Sequence, residues 1–331
     1  MTIMTQTSSW AGKRILITGG TGTFGRAFIR RILETDVQSI VVFSRDEFKQ
    51  YEMKRDVNDP RLDFFIGDVR DLPRLERALN GVDIVVHAAA LKQVPAIEYN
   101  PLEAVKTNVQ GTQNVIDAAL NRNVEKVMVI SSDKAVQPIN LYGATKLTAE
   151  RLAVASNAYR GSHGVTRLSV MRYGNVLGSR GSIVELIEKQ KASGVIPLTD
   201  ERMTRFWIHI DDVIGRVFKA IELMEGGEVF VPNMKSTRVS DLIKLLAPEC
   251  KVEVIGMRPG EKIHETLITE YEHGRTKDLG DLFVVLPEFR SWATEEPFAQ
   301  YPDLAQDVTY SSDSAFCLLT DAAAMSALIK R

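Results

Sequence analysis

Residues 14–18 (RILIT) run directly into Gly19-Gly20-Thr21-Gly22-Thr23-Phe24-Gly25 and then into a helical pattern. A short apolar strand that turns through glycines at G-x-x-G-x-x-G spacing and opens a helix has few folds available to it. It reads as the first strand-turn-helix of a parallel nucleotide-binding sheet. Glycine permits the tight turn and lets backbone N–H groups approach a pyrophosphate at the helix N-terminus. Gly19, Thr21, Gly22, Thr23, Phe24 and Gly25 are therefore the expected pyrophosphate loop of a dinucleotide.

The pattern downstream agrees. Strands are expected at 14–18, 39–43, 62–66, 84–87, 127–131 and 168–172, several of them continuous Val- and Ile-rich runs suited to burial on both faces. Helical periodicity lies between them, at 22–34, 47–56, 72–78, 102–121 and 142–159. The alternation predicts an α/β chain with a doubly wound parallel Rossmann sheet. After about Asn175 the pattern changes, with Gly178, Gly181 and Gly194 punctuating a loop-helix region. Helices are expected at 211–224 and 239–246, and strands at 228–231 and 252–255. The predicted layout is a dinucleotide core over 12–175 that also carries the catalytic residues. A smaller C-terminal substrate-binding lobe follows over 176–290, with some segments returning to the core. Residues 291–331 form an extension whose weak periodicity assigns it no role.

Composition excludes some functions. Lys and Arg number 41 and Asp and Glu 43, so the net charge is 41 − 43 = −2 and no basic field invites nucleic acid or a membrane surface. An anionic ligand must be held by a few local cations. The first ten residues lack the basic and apolar regions of a signal peptide, and no apolar run reaches the length of a membrane span. Cys250 and Cys317 read as reduced thiols, the expected location is the cytoplasm, and no metal site is expected.

The second strand ends at Ser44-Arg45-Asp46. An acidic residue at that tip would hold the 2′-hydroxyl of NAD, whereas Arg45 suits a 2′-phosphate, so NADP is the expected cofactor. Asp46 reads as a helix N-cap, with Lys49 one turn later near the same end. Asp68 after the third strand is a candidate acceptor for the adenine amine, beside Val69. Ala88-Ala89-Ala90 after the fourth strand leaves room for the cofactor. His87 reads as a packed strand-end residue rather than a catalyst.

Tyr142 and Lys146 stand at i and i+4 on one helical face. The Lys146 ammonium is expected to lower the tyrosine pKa, so that the phenolate takes a hydroxyl proton as hydride leaves the same carbon. Ser132-Asp133-Lys134 stands just upstream, at the ligand-binding edge of the fifth strand. An acid and a base side by side suit an elimination.

These motifs make the chain similar to the extended short-chain dehydrogenase/reductase superfamily. Within it the chain resembles the inverting UDP-N-acetylglucosamine 4,6-dehydratases, which start pseudaminic acid synthesis. The resemblance rests on TGGTGTFG, FSRDEFKQ, HAAALKQVP, SSDKAVQPINLYGATK, RYGNVLGSRGS, MTRFWI and RPGEKIHE, spanning roughly residues 13–287. It implies that Tyr142 and Lys146 oxidise C4 of the sugar, Lys134 removes the C5 proton and Asp133 protonates the departing C6 hydroxyl. Hydride then returns to C6, with no net redox change. Many 4-epimerases carry small or hydroxyl residues in place of Asp133-Lys134, dTDP-glucose-type dehydratases carry Asp-Glu, and membrane-bound retaining dehydratases replace the tyrosine by methionine. Ser132 stands where many relatives carry Thr. Lys92, Ser132, Asn175, Arg205, Arg258 and Glu261 are the candidate substrate contacts, with the arginines as diphosphate clamps and Lys92 also near the cofactor. Trp207 reads as core. The resemblance also implies a homo-oligomer, often a hexamer. Two other readings stay open: a 4-epimerase on the same nucleotide sugar, and a dinucleotide-binding regulator without catalysis.

Overall fold

In this computed structural model the described residues are 9–160, 164–178, 183–289, 292, 297–306 and 308–329. Residues 179–182, with Gly181 and the end of the RYGNVLGSRGS stretch, lie outside them. Six parallel strands come first: β1 (Arg14–Thr18), β2 (Ser39–Ser44), β3 (Leu62–Ile66), β4 (Ile84–His87), β5 (Lys126–Ile130) and β6 (Arg167–Met171). Shorter strands follow: β7 (Asn175–Leu177), β8 (Val195–Leu198), β9 (Thr204–His209), β10 (Val229–Pro232), β11 (Lys235–Arg238), β12 (Lys251–Val254), β13 (Thr266–Ile268), β14 (Thr276–Asp278), β15 (Leu282–Val285) and β16 (Tyr310–Ser311).

The main sheet has the order β14-β15-β10-β6-β5-β4-β1-β2-β3. It is parallel from β3 to β10, and β15 and β14 close that edge antiparallel. The chain winds one way from β1 to β3 and the other way from β4 onward. The crevice between the carboxyl ends of β1 and β4 is therefore the switch point where such sheets bind ligands. The central strands are apolar because both faces are covered: β4 is buried throughout, and β1 and β5 in all but their first residue. The first helix, Thr23–Ile32, turns Ala27, Phe28, Ile29 and Ile32 inward. It packs against the Ile210–Leu223 helix, with Phe28 and Phe218 ring centres 5.3 Å apart and Trp10 4.7 Å from Phe218. Burying a ring the size of Phe28 stabilises the fold by roughly 1.5–3 kcal/mol.

The single helix expected over 102–121 is instead broken. Helical turns span Val94–Tyr99 and Pro101–Ala104, a π-helical stretch covers Val105–Gln110, and regular α-helix resumes at Gly111–Asn121. Pro101 can begin a helix but cannot donate a helical hydrogen bond from within one. The widened turn has a cause in Asn108, whose side chain accepts from Leu91 N at 2.8 Å and donates to Leu91 O at 2.9 Å and Thr145 Oγ1 at 3.0 Å.

Beyond β6 the chain builds a three-stranded sheet, β11-β9-β7, and a parallel pair, β12-β8. A second core that includes Leu177, Ile187, Trp207, Leu242 and Ile243 lies under them. β10, β14 and β15 return to the main sheet. The segment near residue 310 joins the structure firmly. β16 pairs with β13, and the buried Tyr310 hydroxyl donates to Pro232 O at 2.6 Å and accepts from Met234 N at 2.5 Å. Among the described residues no helix is long and apolar enough to cross a membrane.

Candidate active site

A cavity of about 840 Å³ opens at the switch point. Its floor at one end is the glycine turn. Gly19 has φ of +68°, and a Cβ there would lie 3.0 Å from Ala89 Cα. A Cβ on Gly25 would fall 2.4 Å from Gly20 O, so the helix can start this close to the turn only without a side chain. Thr18 Oγ1 accepts from Ala88 N at 3.1 Å and Ala89 N at 3.2 Å, which pins the alanine run beside the turn. His87 shares hydrogen bonds with Thr18 Oγ1 at 2.7 Å and Thr112 Oγ1 at 3.0 Å. Burial first, and then the charge of Lys146, lowers its pKa to about 3. A histidine that stays neutral and is held at both ring nitrogens is a strand-end brace.

At the β2 tip, Gln50 donates to the Ser44 hydroxyl at 3.0 Å and to Ser44 O and Phe65 O at 3.1 Å. Asp46 caps the Glu47–Val57 helix by accepting from Lys49 N at 3.0 Å, and the Lys49 ammonium 2.7 Å away helps hold its carboxyl below the usual range. Arg45 leans toward Asp68 at 3.7 Å, and Asp68 also meets Arg70 at 2.7 Å. Ser44, Arg45, Asp46, Lys49, Asp68 and Val69 all line the cavity, as do Gly19, Thr21, Gly22, Thr23, Phe24, Gly25, Ala88, Ala89, Ala90 and Lys92.

Deeper in, β5 ends and the chain makes a single 3₁₀ turn over Asp133–Ala135. Asp133 is wholly buried, with its backbone N–H donating to Tyr173 O at 2.9 Å. Its Oδ1 accepts from Ser132 Oγ at 2.8 Å and Lys134 Nζ at 2.9 Å, while Oδ2 has no hydrogen-bond partner among the described residues. Lys134 Nζ also donates to Asn175 Oδ1 at 3.2 Å. Burial alone would lower the Lys134 pKa, but the carboxylates of Asp133 and Glu265 outweigh it and hold the ammonium form above its ordinary range. Ser132, Lys134, Tyr142, Lys146 and Asn175 line the cavity. Asp133 lies beneath it, reached through Ser132 and Lys134.

The Leu141–Ala155 helix brings in the tyrosine. Asn140 caps it by accepting from Gly143 N at 2.8 Å. A Cβ on Gly143 would fall 2.2 Å from Lys134 O, so this glycine lets the helix abut the Asp133 turn. The electrostatics depart from the expectation that Lys146 activates Tyr142. Lys146 Nζ donates to Ile130 O at 2.5 Å, and burial, partly opposed by Glu150, brings its pKa down to about 8. Burial raises the Tyr142 pKa, and the cation that opposes this is Lys134, helped by a hydrogen bond to Ser132. Lys146 is thus held at the strand end, and Lys134 is the cation whose charge acts on the phenol.

Three candidate substrate residues do not line the cavity. Arg205 is buried, and its guanidinium donates to Thr204 O at 2.7 Å, Ile263 O at 3.0 Å and Lys262 O at 2.8 Å. Arg258 stands exposed, 4.0 Å from Glu261. Sequence reasoning passed over Tyr173, Gly174, Val176, Ile183 and Ile210, which do line it. The signal for the first two was present: they follow β6 at the same strand edge as the other ligand-facing residues. Trp207 is core, donating from Nε1 to Thr237 Oγ1 at 2.9 Å, and is also part of the cavity wall.

A switch-point cavity over a glycine turn, with a tyrosine and a lysine one helical turn apart on its wall, defines a short-chain dehydrogenase/reductase. Residues 15–287 match the family described as polysaccharide biosynthesis protein, and the chain belongs to that family, within the extended branch of the superfamily. It is 46% identical over 291 residues to the UDP-N-acetylglucosamine 4,6-dehydratase (inverting) of Campylobacter jejuni, covering 87% of each chain. It is 44% identical over 280 residues to the UDP-glucose 4-epimerase of Rickettsia conorii, covering 82% of each. The crystal structure of Pen from Bacillus thuringiensis superposes with a TM-score of 0.89 at 35% identity, covering 97% of this chain and 98% of that one.

Proposed function

We propose that the protein is an NADP-dependent, inverting UDP-N-acetylglucosamine 4,6-dehydratase. The observation that carries the reading is the buried Asp133 in contact with the half-buried Lys134, 2.9 Å apart beside Tyr142, because an acid and a base in contact are what loss of water requires and C4 epimerisation does not. The Campylobacter relative bears that activity in its name.

The turn from Gly19 to Gly25 packs too closely against Ala89 and its own backbone for a Cβ at Gly19 or Gly25, and it opens the Thr23–Ile32 helix at the cavity, which fits a pyrophosphate held by backbone N–H groups. Ser44, Arg45 and Lys49 would receive the 2′-phosphate, with Asp68 and Val69 at the adenine and Ala88–Ala90 and Lys92 along the ribose and phosphates. A dinucleotide held there would supply the hydride acceptor for oxidation at the sugar C4 and the hydride donor for reduction at C6. Tyr142 takes the C4 hydroxyl proton, aided by Lys134 and Ser132. Lys146 stands one helical turn from Tyr142 on the same cavity wall, its ammonium on Ile130 O. Lys134 takes the C5 proton, and Asp133, beneath the cavity, supplies the proton for the departing C6 hydroxyl through the Ser132 hydroxyl. Asn175 holds Lys134 in place and meets the sugar. A proton returned to C5 from the opposite face inverts that centre. The same reading includes a UDP-sugar substrate whose diphosphate meets Arg258 and whose uridine ribose meets Glu261, with Arg205 bracing that segment. It also includes the core and lobe division at about residue 175, a cytoplasmic location, a place at the start of pseudaminic acid synthesis, and a homo-oligomer, hexameric by resemblance.

Incubation with UDP-N-acetylglucosamine and NADP tests the reaction. The expected product is lighter by one water. An isomer of unchanged mass favours the 4-epimerase that the Rickettsia relative is named for, and dinucleotide binding without turnover leaves a regulator. Cofactor choice has its own test. NADP should bind more tightly than NAD, and Arg45→Ala should weaken NADP by about 1.5–3 kcal/mol while leaving NAD little changed, as titration calorimetry will report. Equal affinity of the unaltered protein for both cofactors defeats the NADP assignment.

A further inference from the structure

Lys134 lies between two carboxylates. One is Asp133, 2.9 Å away, and the other is Glu265, whose Oε1 is 4.0 Å from Lys134 Nζ. Glu265 comes from a distant part of the chain, immediately before β13, and is only 3% exposed. Its backbone is fixed from both sides. Its N–H donates to Ser312 Oγ at 2.9 Å, and its carbonyl accepts from Ser312 N at 2.8 Å. Arg205 clamps the preceding carbonyls of Lys262 and Ile263. A buried glutamate has a desolvation cost that the chain would avoid unless the charge has a use. No hydrogen bond to its Oε2 exists among the described residues, although Lys262 Nζ stands 3.4 Å from it.

We propose that Glu265 is a positioning residue for the elimination, holding the Lys134 ammonium against Asp133 so that the pair carries one proton between them when each turnover begins. The proposal rests on the dehydratase reading. With one proton on the pair the chemistry closes. Lys134 passes that proton to Asp133 Oδ1, leaving a neutral amine and a carboxylic acid. The amine takes the C5 proton, the electrons of that C–H bond form the C5–C6 double bond, and the C6–O bond breaks. The departing oxygen takes the Asp133 proton through Ser132 and leaves as water. The pair is again ammonium and carboxylate. With no proton on the pair there is no acid, and with two there is no base.

The charged and titratable groups facing Lys134 are Asp133 on its own turn, Glu265 before β13, Tyr142 on the Leu141–Ala155 helix and Arg205 on β9, with Lys262 behind Glu265. Removing the Glu265 charge makes the pair give up its single proton at lower pH. Removing the Lys262 charge leaves the Glu265 field unopposed and does the reverse. The alkaline limb of C5 chemistry should therefore move down in Glu265→Gln by about one pH unit, a roughly tenfold lower rate on that side, and move up in Lys262→Met.

The experiment is a pH series of solvent-deuterium wash-in at C5 and of water loss from UDP-N-acetylglucosamine, on the full chain and both variants. C4 oxidation is followed separately through nicotinamide absorbance in a single turnover, and a melting curve accompanies each variant. Opposite displacement of the wash-in limb in the two variants, larger than any displacement of the oxidation limb, supports the proposal. Unmoved limbs, displacement in one direction by both, or equal displacement of oxidation and wash-in overturns it. If Glu265→Gln does not fold, Lys262→Met decides alone, and an unmoved limb there is sufficient to overturn it. A wild-type protein that releases no water removes the dehydratase reading and this inference together. One that does so with unshifted variants removes the inference only.

Discussion

At the scale of single residues the site turns on how few atoms are left unengaged. Asp133 Oδ1 receives two hydrogen bonds and Oδ2 none among the described residues. Gly174 keeps the space beside Oδ2, since a Cβ there would come within 3.3 Å of it. In the proposed cycle Asp133 receives a proton from Lys134, 2.9 Å away, and passes it to the departing C6 oxygen. Asp133→Asn keeps the shape and removes that proton. Tyr142 should still draw the C4 proton, so nicotinamide absorbance should rise on mixing with substrate and stay high. Water loss should fall about 10²–10⁴-fold, the usual contribution of general acid catalysis. Dehydration at the normal rate would move the acid elsewhere and leave the 4-epimerase as the better account.

At the scale of elements, the site is a junction between the β5 end and the Leu141–Ala155 helix, and Gly143 sets their separation. Gly143→Ala drives a Cβ to within 2.2 Å of Lys134 O unless the helix retreats. The helix carries Tyr142 with it. A displacement near one ångström costs on the order of 10²-fold in rate, so kcat should fall by about that factor while cofactor affinity changes little. Steady-state kinetics beside a cofactor titration will check this, and normal kcat would mean that the helix tolerates the methyl without moving. The same junction shows which parts of the molecule were legible in the sequence. β1 to β6 were found to within one residue at each end because strands buried on both faces are unbroken apolar runs. Asp133, Lys134, Tyr142 and Lys146 were legible because they are neighbours in sequence as well as in space. β7, β13 and β14 were not, since three residues such as Thr276–Asp278 carry no period. The π-helical stretch was not, because its cause is a tertiary contact from Asn108 to Leu91. Glu265 was hidden for the same reason, and Arg205 looked like a free cation because two of its three carbonyl partners lie 57 and 58 residues away.

At the scale of the whole molecule, late segments hold early ones in place. Arg172 at the end of β6 is buried and pairs with Glu150 at 2.7 Å and Glu272 at 3.0 Å, binding the catalytic helix to the turn before β14. Tyr310 performs a similar task for β10 and β11 by hydrogen-bonding Pro232 and Met234. Tyr310→Phe leaves a buried N–H and a buried carbonyl without that partner, and should destabilise the fold by about 1–3 kcal/mol, seen as a lower midpoint in chemical denaturation. An unchanged midpoint would mean that water replaces the hydroxyl. Ser312 is another late contact, and it lies 47 residues after the glutamate that it fixes. On a ribosome adding about 5–20 residues each second, Glu265 is made roughly two to nine seconds before Ser312. During that interval the glycine loop, the tyrosine helix and the Asp133 turn have all been synthesised, yet the backbone of the glutamate that faces Lys134 lacks its Ser312 partner. With Glu265 in its proposed role, the order of translation makes catalytic competence one of the last properties this chain acquires.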